Sequence, residues 1–155
     1  MTRRALQTLA LVFLTSCGHV PLDRAITAHN IYKQMLVQAS DAFTPIYAAA
    51  AATAMHHEQE ADYVREMEPY NGIVGALRDG KEAEQLLHDA LSQCIARNDD
   101  KCDLARLGFA CAATALDSLS VSYGQVKGGA SLYAATAVAK ATLQELAQDM
   151  ECHKP

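Results

Sequence analysis

From Ala25 onward, apolar and small residues recur at helical spacing: Ala25, Tyr32, Leu36, Ala39, Phe43, Ile46, Ala50, His57, Ala61 and Val64. The steps from Tyr32 are 4, 3, 4, 3, 4, 7, 4 and 3, which keep these positions on one face of a helix. No stretch shows the period-two alternation of a half-buried strand. The phase survives Pro45, and Thr44-Pro45-Ile46 lacks the Gly or Asn and the polar loop that a chain reversal brings. The pattern therefore predicts one long helix from about Leu22 to Met67, kinked at Pro45. Two helices split at Thr44 are the alternative. Glu68-Pro69 is the predicted end, because proline disfavours helical geometry in the residue before it. The Ala48–Ala52 run combines high helix propensity with little bulk, which invites a neighbouring helix to approach closely.

A second helix is predicted from about Tyr70 to Arg97, with its inner face at Ile73, Leu77, Leu87, Leu91 and Cys94. Asp79-Gly80 is its weak point. Gly72-Ile73-Val74-Gly75-Ala76 reads as a small-residue face for close helix packing. Asn98-Asp99-Asp100 forms a turn in which an Asp can cap the next helix. That third helix runs from about Lys101 to Tyr123 through Leu104, Leu107, Cys111, Ala115 and Leu119. Gly124–Gly129 make the next turn, and a fourth helix spans about Ala130 to Met150. Short connections force antiparallel neighbours, so the expected fold is all-α, an antiparallel bundle of about four helices over residues 24–155.

The first seventeen residues follow a different logic. Arg3 and Arg4 precede a short stretch, Ala5 to Leu14, that is apolar apart from Gln7 and Thr8. Basic, apolar and small-residue segments in this order make a secretory signal, and about ten apolar residues are too few for a span of about 20. Leu14-Thr15-Ser16-Cys17 resembles the lipobox of bacterial lipoproteins. That resemblance implies removal of residues 1–16 and attachment of acyl chains to Cys17, with 17–23 as a lipidated N-terminus and short tether. It also implies a cell-envelope location, at the outer membrane facing the periplasm in a Gram-negative cell, since Gly18 is not the Asp associated with inner-membrane retention. Two or more acyl chains give lasting attachment where one does not. The chain's 13 basic and 18 acidic side chains give a net charge of −5, and loss of Arg3 and Arg4 makes it more negative. A nucleic-acid partner is excluded, because phosphate binding needs a basic face.

With Cys17 lipidated, Cys94, Cys102, Cys111 and Cys152 remain, an even number suited to disulfides in an oxidising compartment. Cys102 and Cys111 are separated by about 13.5 Å of helical rise and half a turn, so they cannot bond each other. The hairpin near Asp99 sets Cys94 level with Cys102, favouring Cys94–Cys102 with Cys111–Cys152. The hairpin near Lys127 favours Cys102–Cys152 with Cys94–Cys111. Each scheme leaves one pair offset by about two turns, either bonded or free. The first is preferred for its small, easily closed loop.

Candidate chemistry is sparse. His56, His57 and Glu60 follow Met55, and His56 and Glu60 are four apart, a workable ligand spacing on one helical face for copper or zinc. Glu84 and His88 form a second such pair. The Glu-x-x-His pattern of di-iron bundles is missing, and a solvated helix face is the preferred reading. Cys-x-x-Cys-His, Gly-x-Ser-x-Gly and a phosphate loop are also missing. Ser118, Ser120 and Ser122 have no paired His or Asp pattern, and Glu84 and Asp89 read as ion-pair partners of Lys81 and Arg78. Six Tyr (Tyr32, Tyr47, Tyr63, Tyr70, Tyr123, Tyr133) in a chain without Trp are expected at core edges with wet hydroxyls, or alternatively lining a groove for a partner helix. The expected function is a non-enzymatic, lipid-anchored bundle, with no cofactor beyond the covalent lipid, that binds or braces an envelope protein. A metal-binding bundle is the alternative.

Overall fold

A computed structural model describes residues 19–56, 59–126 and 130–153, and of residues 130–135 the backbone alone. Four helices follow one another: α1 (Leu22–Ala54), α2 (Glu60–Ala96), α3 (Ala105–Gly124) and α4 (Ala130–Ala147). They form the antiparallel bundle that the pattern of apolar positions predicts. α3 packs between α2 and α4, while α1 lies along α2 and closes more thinly onto α4.

The boundary between the first two helices differs from the expected one. α1 stops at Ala54 instead of Met67, and α2 begins at Glu60 and runs through Pro69. A proline inside a helix forfeits its own amide bond to the carbonyl four residues back. Pro45 and Asp41, whose carbonyl loses its partner there, are both exposed; Arg65, in the same relation to Pro69, is exposed as well. Both stranded carbonyls thus belong to exposed residues on the solvent side, and neither proline ends its helix. The reversal falls instead at the polar stretch after Ala54, with Gln59 extended at φ −109° and ψ 127°. Ala61 and Val64, which helical spacing assigned to the inner face, are exposed beyond this turn. Asp79-Gly80 does not interrupt α2 either: Gly80 is buried against Tyr32 and Leu36.

At 1.5 Å per residue, α1 and α2 are about 50 and 55 Å long, whereas α3 and α4 reach only about 30 and 27 Å. The continuous core spans Ala25 to Phe43 on α1, Ile73 to Cys94 on α2, most of α3, and Ala139 to Ala147 on α4. Past Phe43 and before Ile73, Ala54 and Met67 are buried, but they stand outside that core. The outer parts of α1 and α2 thus project beyond the four-helix layer as a two-helix hairpin. Pro45 and Pro69 are equidistant in sequence from the middle of the connection, so antiparallel pairing sets them level at its root. Ala48, Ala49 and Ala52 face solvent, while Ala50 and Ala51 are half-buried, so only part of the alanine run is covered.

Close packing is found elsewhere. A Cβ on Gly108 of α3 would lie 2.8 Å from Leu87 Cγ and 3.1 Å from the Leu87 backbone nitrogen. One on Gly80 would lie 2.6 Å from Leu36 Cδ2. Gly72 would make only ordinary contact with Ser122, and Gly75 opens to empty space, so the 72–76 segment is not the close approach expected of it. Small residues stand on two sides of α3, with Ala105, Gly108, Ala112 and Ala115 on one stripe and Ala110 and Ala113 on another, and let both of its neighbours draw near.

Tyr32 and Tyr123 are wholly buried, and their hydroxyls are dry rather than wet. Tyr32 donates to the Gly80 carbonyl at 3.0 Å and Tyr123 to the Ala39 carbonyl at 2.6 Å, satisfying the buried phenols. Tyr123 also meets the Phe43 ring edge-on. Burial pushes the Tyr123 phenol up to about 12. The Tyr32 phenol is pushed higher, by burial first and then by the Glu84 and Asp79 charges. Tyr47, Tyr63 and Tyr70 are half-buried at the edges as expected. Tyr133 belongs to the segment of which the backbone alone is described.

Candidate anchoring end

Antiparallel order gathers the start of α1, the α2–α3 connection and the end of α4 at one end of the bundle. Residues 19–22, expected as part of a short tether, are held against that connection. The Cys102 amide donates to the Val20 carbonyl at 2.8 Å, and the Leu22 amide donates to the Asp100 carbonyl at 2.9 Å. Pro21 and Lys101 form an isolated antiparallel bridge between these bonds. Asp103 accepts from the Val20 amide at 3.2 Å and lies 2.9 Å from His19 Nδ1. Its carboxyl is held below the usual carboxylate range, chiefly by the His19 hydrogen bond, then by the Val20 amide and Arg106. Val20 is wholly buried, so the chain is fixed to the body almost from the first described residue.

Both covalent locks serve the same end. Cys94–Cys102 closes the α2–α3 connection, with Cα atoms 5.6 Å apart. Asn98 turns that connection with φ 52°, in the left-handed region that Asn tolerates well. Cys111 pairs with Cys152 across a Cα separation of 4.5 Å. The expected two-turn offset of this pair disappears because α4 ends at Ala147, not at Met150. Gln148 and Asp149 follow with φ of 50° and 65°. The Met150 amide bonds back to the Ala147 carbonyl, and the reversed chain brings Cys152 to Cys111. An ion pair of 2.8 Å between Arg24 and Glu145 ties α1 to α4 at this end, and Lys140 pairs with Asp117 between α4 and α3.

Of the other candidate residues, the structure describes some and not others. Cys17 and its lipobox, and His57, lie outside the described residues. His56 sits in the turn after α1 and Glu60 opens α2, so the pair does not share one helical face and the spacing argument for a metal fails. No group of three or more His, Cys, Asp or Glu suited to a metal occurs among the described residues. Glu84 turns away from Lys81 and Arg78 to His29, whose Nε2 lies 2.9 Å from Glu84 Oε1. The His88 ring stands 6.1 Å from that of His29. Asp89 accepts from Gln85 Nε2 at 2.8 Å. Sequence reasoning passed over His29, although its position between Ala25 and Leu36 on the inner face of α1 was the available signal. Ser118 donates to the Thr114 carbonyl and has no catalytic partner among its hydrogen bonds.

Two clefts flank the 149–152 segment. One, of about 350 Å³ between α2 and α3, is lined by Asp79, Glu82, Leu86, Ala115 and the Cys111–Cys152 bridge. The other, of about 550 Å³, lies between α3 and α4. Their walls mix apolar surface with acids, amides, Lys140 and the hydroxyls of Thr114 and Ser118, which donate to the Ala110 and Thr114 carbonyls of their own helix.

No protein-family model matches the chain, and comparison with curated proteins and with solved structures finds nothing similar. Among the described residues, no helix is long and apolar enough to cross a membrane.

Proposed function

We propose that the chain is a lipid-anchored cell-envelope lipoprotein whose helical body has a binding or bracing role rather than an enzymatic one. The observation that carries this reading is the clasp at residues 19–22. Cys17, the lipid acceptor of the lipobox, stands two residues before a segment fastened to the bundle by two backbone–backbone hydrogen bonds and by Asp103, which meets the Val20 amide and His19. Two residues of chain span at most about 7 Å. An acyl group on Cys17 would therefore hold the body against the bilayer without slack. Two disulfides at the same end support an oxidising compartment independently of the leader. Such a protein carries the hairpin tip about 50 Å from the clasped end, the length of α1, toward an envelope partner.

The test is acyl labelling in a bacterial host that processes lipoproteins. The parent chain is expected to incorporate labelled fatty acid, and Cys17→Ala to lose all label and accumulate as precursor. Label retained in Cys17→Ala would refute the anchoring.

A further inference from the structure

We propose that the α2–α3 connection closed by Cys94–Cys102 is the face that rests on the lipid headgroups, so that the α1–α2 hairpin points away from the bilayer. This orientation rests on the lipoprotein reading and goes beyond it by naming the contact surface.

The connection is where the N-terminal segment is fastened, so the chain must leave the body beside it on the way to Cys17. Two large apolar side chains stand exposed at its two ends, Ile95 at 56% and Leu104 at 50%. Isolated exposed aliphatic residues are common on protein surfaces. What distinguishes these two is their place: both flank the strand-like pairing of Val20–Leu22 with Asp100–Cys102. Between them the exposed charges are Arg97 and Lys101 against Asp99, Asp100 and Asp103, and Asp103 is paired with Arg106, so the face is close to balanced, which suits a zwitterionic headgroup layer better than a strongly charged one. The bridge between Cys94 and Cys102 fixes the loop, so the surface needs no ordering on contact. Acyl chains at Cys17 provide the attachment, and Ile95 and Leu104 decide which way the body tips. Met55 and Val64, exposed at 73% and 56%, lie at the opposite end of helices about 50 Å long.

The chain contains no Trp, so a single inserted Trp is a clean probe of position. Ile95→Trp, Leu104→Trp and Val64→Trp would each be made in the full chain, purified after processing, and reconstituted in phosphatidylcholine vesicles with and without brominated acyl chains. Emission from positions 95 and 104 is expected to lose most of its intensity on brominated lipid, with no loss at position 64. Intact mass reports acylation of each sample separately. An acylated protein quenched equally at 64 and 104, or at none of the three positions, overturns the orientation alone. A protein carrying no acyl mass overturns the anchoring and the orientation with it.

Discussion

The two ends of this bundle are built on opposite principles. At one end, two disulfides, a backbone clasp and an interhelical ion pair converge on the N-terminal segment. At the other, two helices run on alone, with a proline at the root of each and Ala54 and Met67 buried outside the main core. Small domains commonly add covalent links where core burial is thin. Here the links lie at the end where all four helices contribute to the core instead. That placement leaves the far hairpin without a disulfide among the described residues.

The largest expected effect comes from unlocking the base. In the chain-entropy picture, the loop closed by Cys111–Cys152 contributes about 4 kcal/mol and that closed by Cys94–Cys102 about 2.5 kcal/mol. Urea unfolding of Cys111→Ala/Cys152→Ala and Cys94→Ala/Cys102→Ala is expected to rank in that order. Amide exchange in the hairpin should hardly change, and an equal loss of protection in the hairpin would show that the two ends are one cooperative unit.

Prolines probe the other end. Pro69→Ala restores an amide donor to the Arg65 carbonyl, and an interior proline costs a helix about 3 kcal/mol relative to alanine. Slower amide exchange across residues 60–69 is the expected readout. Unchanged exchange there would mean that something other than the missing bond limits the hairpin.

A glycine pair sharpens the contrast between tight and open surfaces. Gly108→Ala should destabilise by about 1–3 kcal/mol, because the new methyl group meets Leu87 side chain and backbone. Gly75→Ala, with nothing near its Cβ, should stabilise by about 0.5–1 kcal/mol through helix propensity alone. Equal effects in thermal unfolding would contradict the packing at Gly108.

The smallest effect concerns alkaline pH. Burial raises the Tyr123 phenol to about 12, so the fold favours its neutral form. The resulting stability is fully present below the ordinary tyrosine value of about 10 and is lost as pH rises through 12. Tyrosinate absorbance should show Tyr32 and Tyr123 ionising only as helical circular dichroism falls, and Tyr123→Phe should remove part of that coupled step. Ionisation of all tyrosines ahead of unfolding would place these hydroxyls in water.

Helix identity and most of the core were legible in the chain itself. The inner positions of α1 from Ala25 to Phe43, and Ile73, Leu77, Leu87, Leu91 and Cys94 on α2, follow from spacing, because burial along a helix must repeat with its turn. For Cys94–Cys102 the chain offered a preference between two pairing schemes, since a short connection between antiparallel helices sets its flanks level, and the structure has the preferred one. What spacing alone does not encode is the environment of each position. Pro45 and Pro69 look equally disruptive in one dimension, and whether each ends a helix depends on whether water reaches the carbonyl it strands. Cys152 meets Cys111 only because two left-handed residues turn the chain back after α4. His29 and Glu84, 55 positions apart, pair only once α1 lies along α2. Local periodicity fixed which faces turn inward, whereas partners distant along the chain, and the height at which each helix runs out of neighbours, were decided by packing in three dimensions.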